Sequence, residues 1–253
     1  MVLTEQDKKA IQESINKFVI LNGKKYYVKE ATTNYETTEL IAQDLANLFN
    51  IKCAKYESVN IDGVFYYLSE DLNEQGRLIP IDVFMPNKLS LIDCWIALEK
   101  NFLNADKLMY DIVKIYLFDI LFLNSDRHFG NIGLLQAKEK VEVVMLDNEF
   151  AFDTLEVTLT AKYSRGEEAF SFDEEKYRKC ERYLKYNLEE LSYFLDVSSQ
   201  EFINLLIDMY NKCSVPEVEE IIKSHDQLHA KIFIDLYKKN YELIGTLIKS
   251  RGR

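Results

Sequence analysis

Glycine and proline are scarce in this chain, at eight and three of 253 residues, so a β-sandwich dense in turns and any glycine- or proline-rich low-complexity class are excluded. With 47% hydrophobic residues the composition is instead that of a folded protein rich in helix, long enough for one large domain or two lobes. Cysteine is sparse. Cys53, Cys94, Cys180 and Cys213 form no C-x-x-C pair, which excludes a zinc ribbon or a dithiol redox motif and leaves reduced, mostly buried thiols. No apolar run approaches the ~18 residues of a membrane span, and Met1 to Lys9 is polar and charged, so the expectation is a cytoplasmic protein with no membrane partner. Positive charge is short as well. With 31 basic against 42 acidic residues, the net charge of −11 argues against nucleic acid as a direct partner. Neither G-x-G-x-x-G nor G-x-x-x-x-G-K-[ST] occurs anywhere.

What the chain does have is concentrated between Leu121 and Phe152. Asp126 and Asn131 lie five positions apart in Asp-Arg-His-Phe-Gly-Asn, and Asp147 follows the apolar run Val143-Val144-Met145-Leu146. Phosphoryl transfer asks little covalent chemistry of a protein: a carboxylate to orient the acceptor hydroxyl, and hard oxygen ligands for Mg²⁺. Asp126 suits the first role, Asn131 and Asp147 the second. Ile132 to Leu135 and Val141 to Leu146 read as two strands around the polar turn Gln136 to Lys140, a hairpin that would hold these oxygens at one end. Taken singly, an Asp-x4-Asn spacing is common and an Asp-Asn after a strand is an ordinary turn.

Asn124-Ser125-Asp126-Arg127-His128-Phe129-Gly130-Asn131 followed by Leu146-Asp147-Asn148 resembles the HipA-like kinases, whose catalytic loop reads N-x-D-R-H-x-x-N and whose metal-binding Asp follows the next strand. More distantly it looks like the phosphoinositide kinases and the aminoglycoside and choline phosphotransferases. The likeness runs in motif terms from about Tyr26 to Asp153. Upstream, Lys29 closes the strand Tyr26-Tyr27-Val28-Lys29, after the hairpin signal Asn22-Gly23, and would reach nucleotide phosphates while paired to a helix glutamate. Glu39 opens a helix with apolar residues at 41, 45, 48 and 49, and Glu39-x5-Leu45-Ala46 ending in Asn50-Ile51 resembles the family's E-x5-L-A segment and its Gly-Ile turn. Taken alone, such a lysine is a solvated strand residue and such a glutamate a surface one. After the strand Phe65 to Leu68, the resemblance makes Ser69-Glu70-Asp71-Leu72 the hinge, where the backbone of Glu70 and Leu72 would hold adenine. His128 would orient backbone or phosphate, or simply fix the loop by packing. The chain departs from the family at the phosphate loop upstream of the lysine, having only Gly23 in a short turn with Ser14 farther back.

Elsewhere the residues read more plainly. Thr4 to Glu13 is a capped polar helix, Asn73 to Asn87 a loop-like crossing, and Leu89 to Phe102 and Asp106 to Leu123 are helices, the second apolar nearly all round. Asp153 to Phe172 stands where a kinase places its activation and substrate loop, and also reads as a solvent loop. Helices follow from Glu174 to the end, with S-x-x-E starts at Ser198 and Ser214 and with Leu228, Ile232, Leu236, Tyr237 and Ile244 in the core. His225 and His229 have a zinc-compatible spacing but no third ligand, so an ordinary helix surface is expected. The fold class implied is α+β: a two-lobed protein-kinase-like fold with a small mixed β/α lobe at residues 1–72 and a mainly helical lobe at 73–253. The resemblance implies an ATP- and Mg²⁺-dependent kinase acting on a protein Ser or Thr, in a toxin–antitoxin type system with a small antitoxin-like partner. A lipid or small-molecule kinase, and a kinase-like binding protein without catalysis, stand beside it.

Overall fold

The computed structural model describes residues 2–31, 37–85, 90–152, 174–212 and 214–251, with backbone alone for 174–177. Helix α1 (Glu5–Glu13) starts where Thr4 Oγ1 accepts the Asp7 N–H at 3.1 Å and the Asp7 carboxylate accepts the Thr4 N–H at 2.9 Å, which satisfies two otherwise orphaned donors. Strands β1 (Phe18–Leu21) and β2 (Lys24–Glu30) meet at Asn22-Gly23, both in the left-handed region that a two-residue hairpin needs. Helix α2 (Thr38–Leu48) precedes β3 (Tyr56–Ile61) and β4 (Val64–Glu70), which are joined through Asp62-Gly63 in the same way. The four strands form one antiparallel sheet in the order β1-β2-β4-β3. Its period of two sends Val19, Leu21, Tyr26, Val28, Tyr66 and Leu68 to one face, where Ile11 of α1 closes a small core. Lys29 and Tyr27 take the other face.

The crossing expected to be an irregular loop from Asn73 to Asn87 holds a strand instead. Asp71 caps a short helical turn at Leu72–Glu74, and β5 (Arg77–Pro80) then pairs with β6 (Ile132–Ala137), which pairs with β7 (Lys140–Met145). Four residues that include a proline give no alternating signal. Pro80 is tolerated because β5 is the edge of this three-stranded sheet and proline closes the strand.

Helices α3 (Leu91–Asn101), α4 (Ala105–Leu121), α5 (Glu174–Val197), α6 (Gln200–Lys212), α7 (Val215–His225) and α8 (Ala230–Lys249) make up most of the remainder. Helix α4 is the axis of the large core: Leu108, Ile112, Val113, Leu117, Phe118 and Leu121 are all buried. Ile41, Ala42, Leu45, Ala46 and Phe49 of α2 and its end belong to that core rather than to the sheet's own. Among the described residues no helix is long and apolar enough to cross a membrane.

Three local expectations change. Helix α6 is capped by Ser199, whose Oγ accepts the Phe202 N–H at 3.2 Å, while Ser198 donates back to the Phe194 carbonyl. Leu228 is 60% exposed in the connection between α7 and α8. His225 ends α7 and His229 precedes α8, so they share no helix face. His225 Nε2 meets Asp44 Oδ2 and His229 Nδ1 meets Asp226 Oδ2, each at 2.7 Å. Cys94 and Cys180 are buried and Cys53 partly so. Cys213 and the expected activation segment Asp153 to Phe172 lie outside the described residues.

Candidate active site

The chain enters the candidate catalytic loop from a capped helix end. Leu123 adopts φ 45° and the Asn124 N–H returns to the Asp119 carbonyl at 3.0 Å, the wrap that usually uses glycine. Buried Asn240 of α8 donates to the carbonyls of Ile120 and Leu121, at 2.9 and 3.3 Å, so the last turn of α4 is satisfied from outside. The loop therefore leaves a fixed base.

Arg127 then ties the loop to the strand end that leads to Asp147. Its guanidinium holds Asp119 of α4 through Nε (2.9 Å) and Nη2 (3.2 Å), while Nη1 donates to the carbonyls of Asn131 (3.1 Å) and Leu146. Nη2 also reaches Asn148 Oδ1 at 2.5 Å. Both side chains of the ion pair are almost wholly buried. Burial pushes Asp119 up to about 6 against the pull of Arg127; the guanidinium is raised, because Asp119 outweighs its desolvation. The Leu146 N–H donates to the Asn131 carbonyl at 3.0 Å, so Asn131 and Asp147 emerge from neighbouring ends of one hairpin. Asp126 is exposed, and among the described residues its carboxylate has no hydrogen-bond partner. Asn131 donates its amide to the Asp126 carbonyl at 3.5 Å, which leaves the amide oxygen as an acceptor.

Asp147 sits at φ 49°, a left-handed conformation that aspartate tolerates better than most residues. Its N–H donates to the Tyr56 hydroxyl at 3.1 Å, and its Oδ1 pairs with Lys29 Nζ at 2.9 Å. Lys29 also pairs with buried Glu149. Burial alone would lower the Lys29 ammonium, but Asp147 and Glu149 hold it well above its ordinary value. The direct Lys29–Glu39 pair expected from sequence is replaced. Fully buried Glu39 accepts the Asn148 N–H on both oxygens at 3.0 Å, and Lys29 takes the two acids flanking that residue. Helix α2 thus grips the Asp147 segment by its backbone, and Thr38 Oγ1 adds a hydrogen bond to the Glu149 carbonyl at 3.0 Å.

Lys29, Glu39 and Asp147 line a cleft of ≈ 270 Å³ between the four-stranded sheet and the β5–β7 sheet. Phe18 and Tyr27, edge to face with centroids 5.4 Å apart, form one wall, and Leu78 and Leu146 the other. Ser69 to Asn73 close the end away from Lys29, which places Glu70 and Leu72 in the cleft lining. His128 is outside that lining. Its ring and the Asp82 carboxylate fill the space that a Cβ on Gly130 would need. Tyr56, Glu149, Phe18, Tyr27, Leu78 and Leu146 carried no sequence signal of their own; a strand residue's address in a cleft depends on distant partners, 91 positions away for Tyr56 and 118 for Lys29.

Among the described residues no cluster of three or more His, Cys, Asp or Glu side chains could hold a metal by itself. The donor set nonetheless fits Mg²⁺, which takes one or two protein oxygens and completes its shell with phosphates and water: Asp147 keeps one carboxylate oxygen clear of Lys29, and Asn131 offers its amide oxygen.

A family model described as HipA-like kinase matches residues 19–180. No curated protein sequence matches the chain. Among solved structures, the proinflammatory kinase CtkA of Helicobacter pylori superposes with a TM-score of 0.66 at 16% identity, covering 93% of each chain. HipA of Shewanella oneidensis MR-1, solved with HipB and its operator DNA, gives 0.64 at 13% identity over 92% of this chain and 64% of its own. At these identities the likeness is one of fold.

Proposed function

Because the chain belongs to the HipA-like kinase family, we propose that it transfers the γ-phosphoryl group of ATP, with Mg²⁺, to a hydroxyl of a protein serine or threonine. The observation that carries this reading is the Lys29–Asp147 pair at one end of a cleft whose other end is the Glu70–Leu72 segment, beside a loop that presents Asp126 with no partner among the described residues. Asp126 would accept the hydroxyl proton and aim the oxygen. Lys29, beside Asp147 at that end of the cleft, would bind the phosphates. Bound Mg²⁺, held by Asp147 and Asn131, would neutralise charge on the transferring group. At the far end the Glu70 and Asp71 N–H groups already donate to the carbonyls of Lys55 and Lys25, at 3.2 and 3.0 Å, so Leu72 is the hinge residue left to donate to a base. The HipA neighbour was solved with HipB, and by that analogy a small antitoxin-like protein is the partner class we propose.

The test is transfer from γ-labelled ATP to the protein itself and to a cell lysate. Wild type is expected to label protein, with the rate cut at least about a thousandfold in Asp126→Ala and Asp147→Ala. Label that persists in both variants would refute the assignment. Label confined to lipid or small molecules would select the lipid or small-molecule alternative.

A further inference from the structure

Asp147 has a backbone conformation that few side chains take, at φ 49°, and such a residue persists only where its surroundings over-determine it. Three consecutive N–H groups are held around it. The Leu146 N–H donates to the Asn131 carbonyl at 3.0 Å, and the Asn148 N–H donates to both Glu39 oxygens at 3.0 Å. The middle one, that of Asp147 itself, donates to the Tyr56 hydroxyl at 3.1 Å. The first is held by the candidate catalytic loop and the third by α2, so the middle hold depends on one phenol oxygen.

Tyr56 is itself fixed from the Asp147 side of the cleft. It opens β3, yet its ring packs against the cluster of Ala54, Leu72, Leu135 and Val144 and not in the small core of the four-stranded sheet. Its N–H donates to Gln43 Oε1 of α2 at 2.7 Å, and its ring meets that of Tyr67 edge to face, with centroids 6.4 Å apart. Just upstream, the Ala54 N–H donates to the Met145 carbonyl at 3.1 Å and the Met145 N–H to the Lys52 carbonyl at 2.8 Å. The chain that delivers Tyr56 is thereby bridged to the end of β7, two residues before Asp147. Tyr56 lines the cleft, and among the described residues its hydroxyl makes no other hydrogen bond. We propose that Tyr56 is the positioning residue for Asp147: its hydroxyl keeps the backbone in the conformation that presents the carboxylate oxygen clear of Lys29 to a divalent cation. This role rests on the reading of Asp147 and ATP above. Without the hydroxyl the Asp147 N–H loses its protein partner, and binding a cation would have to restore an order that the wild type already has.

Tyr56→Phe removes the one oxygen and keeps the ring. The measurement is the ADP dissociation constant by calorimetry, in EDTA and with saturating Mn²⁺, for wild type, Tyr56→Phe and Asp147→Ala. Wild type is expected to bind ADP more tightly with Mn²⁺ than without, and Asp147→Ala to lose that difference. Tyr56→Phe is expected to lose about fivefold of it, the worth of one ordinary hydrogen bond, while its constant in EDTA stays that of wild type. An intact Mn²⁺ difference in Tyr56→Phe would overturn the assignment. So would an equal loss in EDTA, which would make Tyr56 a direct contact of the nucleotide or a residue of general packing. Wild type that shows the Asp147-dependent difference but transfers no phosphoryl group would sink the proposed reaction while the comparison still decides the role of Tyr56. Wild type in which Mn²⁺ changes nothing, or which binds no ADP, would sink both.

Discussion

Glu39 is fully buried among Asp147, Glu149 and Lys29, and among the described residues its two hydrogen bonds come from a single backbone N–H. Burial first and the charge of Asp147 second push its carboxyl from 4.5 up to about 8, against the opposing pull of Lys29 and of the Asn148 N–H. A carboxyl with a raised folded value holds a proton in the native state that the unfolded chain has already lost. Its contribution is therefore present in full below pH 4.5 and disappears as pH rises through about 8. In metal-free buffer the urea midpoint is expected to fall between these limits, and Glu39→Gln, which stays neutral and keeps an acceptor for Asn148, is expected to flatten that part of the profile. The same slope in wild type and variant would show that Glu39 is ionised throughout. The sequence had marked Glu39 for the site, because it opens an apolar-striped helix, and had given it Lys29 as partner. That partner was wrong in geometry, since the choice among three acids for one lysine depends on how the Asp147–Glu149 segment turns, and neither the left-handed Asp147 nor the Tyr56 hydroxyl that holds its N–H leaves a local pattern.

Between elements, the Asp119–Arg127 pair joins α4 to both the candidate catalytic loop and the end of β7. Two fully desolvated charges satisfied by each other and by carbonyls add little net stability, yet removing one leaves the other uncompensated in the interior. Arg127→Ala and Asp119→Ala are each expected to cost about 3–5 kcal/mol in equilibrium unfolding, and the double variant Asp119→Leu/Arg127→Met much less than the sum. Additive losses would mean that the two side chains act separately. At this scale the sequence was informative where periodicity is strong: the capped helix from Thr4, the Asn22-Gly23 hairpin, the apolar α4 and the β6–β7 hairpin all stand close to where their patterns put them. It failed at β5, which is four residues long and ends in proline, and at the exit of α4, where leucine takes a glycine's conformation because Leu123 is buried and Asn240 secures the helix end. Such elements exist only through their neighbours, so no window of local sequence contains them.

At the scale of the whole molecule we propose that the lobes divide near Leu72, while the two principal cores divide the chain differently. The sheet β1–β4 and α1 enclose their own small core around Ile11, Val28 and Leu68. Helix α2, which lies between those strands in sequence, buries Ile41, Leu45 and Phe49 in the large helical core and is fastened to α7 and its end through His225–Asp44 and Thr37–Asp226. A core of eight buried residues offers far less burial than one built on the whole of α4, so the sheet should open before the rest. In native-state hydrogen exchange without nucleotide, amides of β1, β2 and β4 are expected to exchange through a common opening of lower free energy than those of α4. Those of α2 are expected to stay with α4. Ile11→Ala, which removes the only side chain of α1 buried in that core, is expected to lower the sheet's opening energy by about 2–5 kcal/mol and leave α2 unchanged. Exchange of α2 together with the strands would show a lobe that moves as one body. If α2 stays behind, Glu39 keeps its hold on the Asn148 backbone while the sheet lifts, so the Asp147 side of the cleft remains assembled and opening the cleft costs only the opening of the strands, among them the one that carries Lys29.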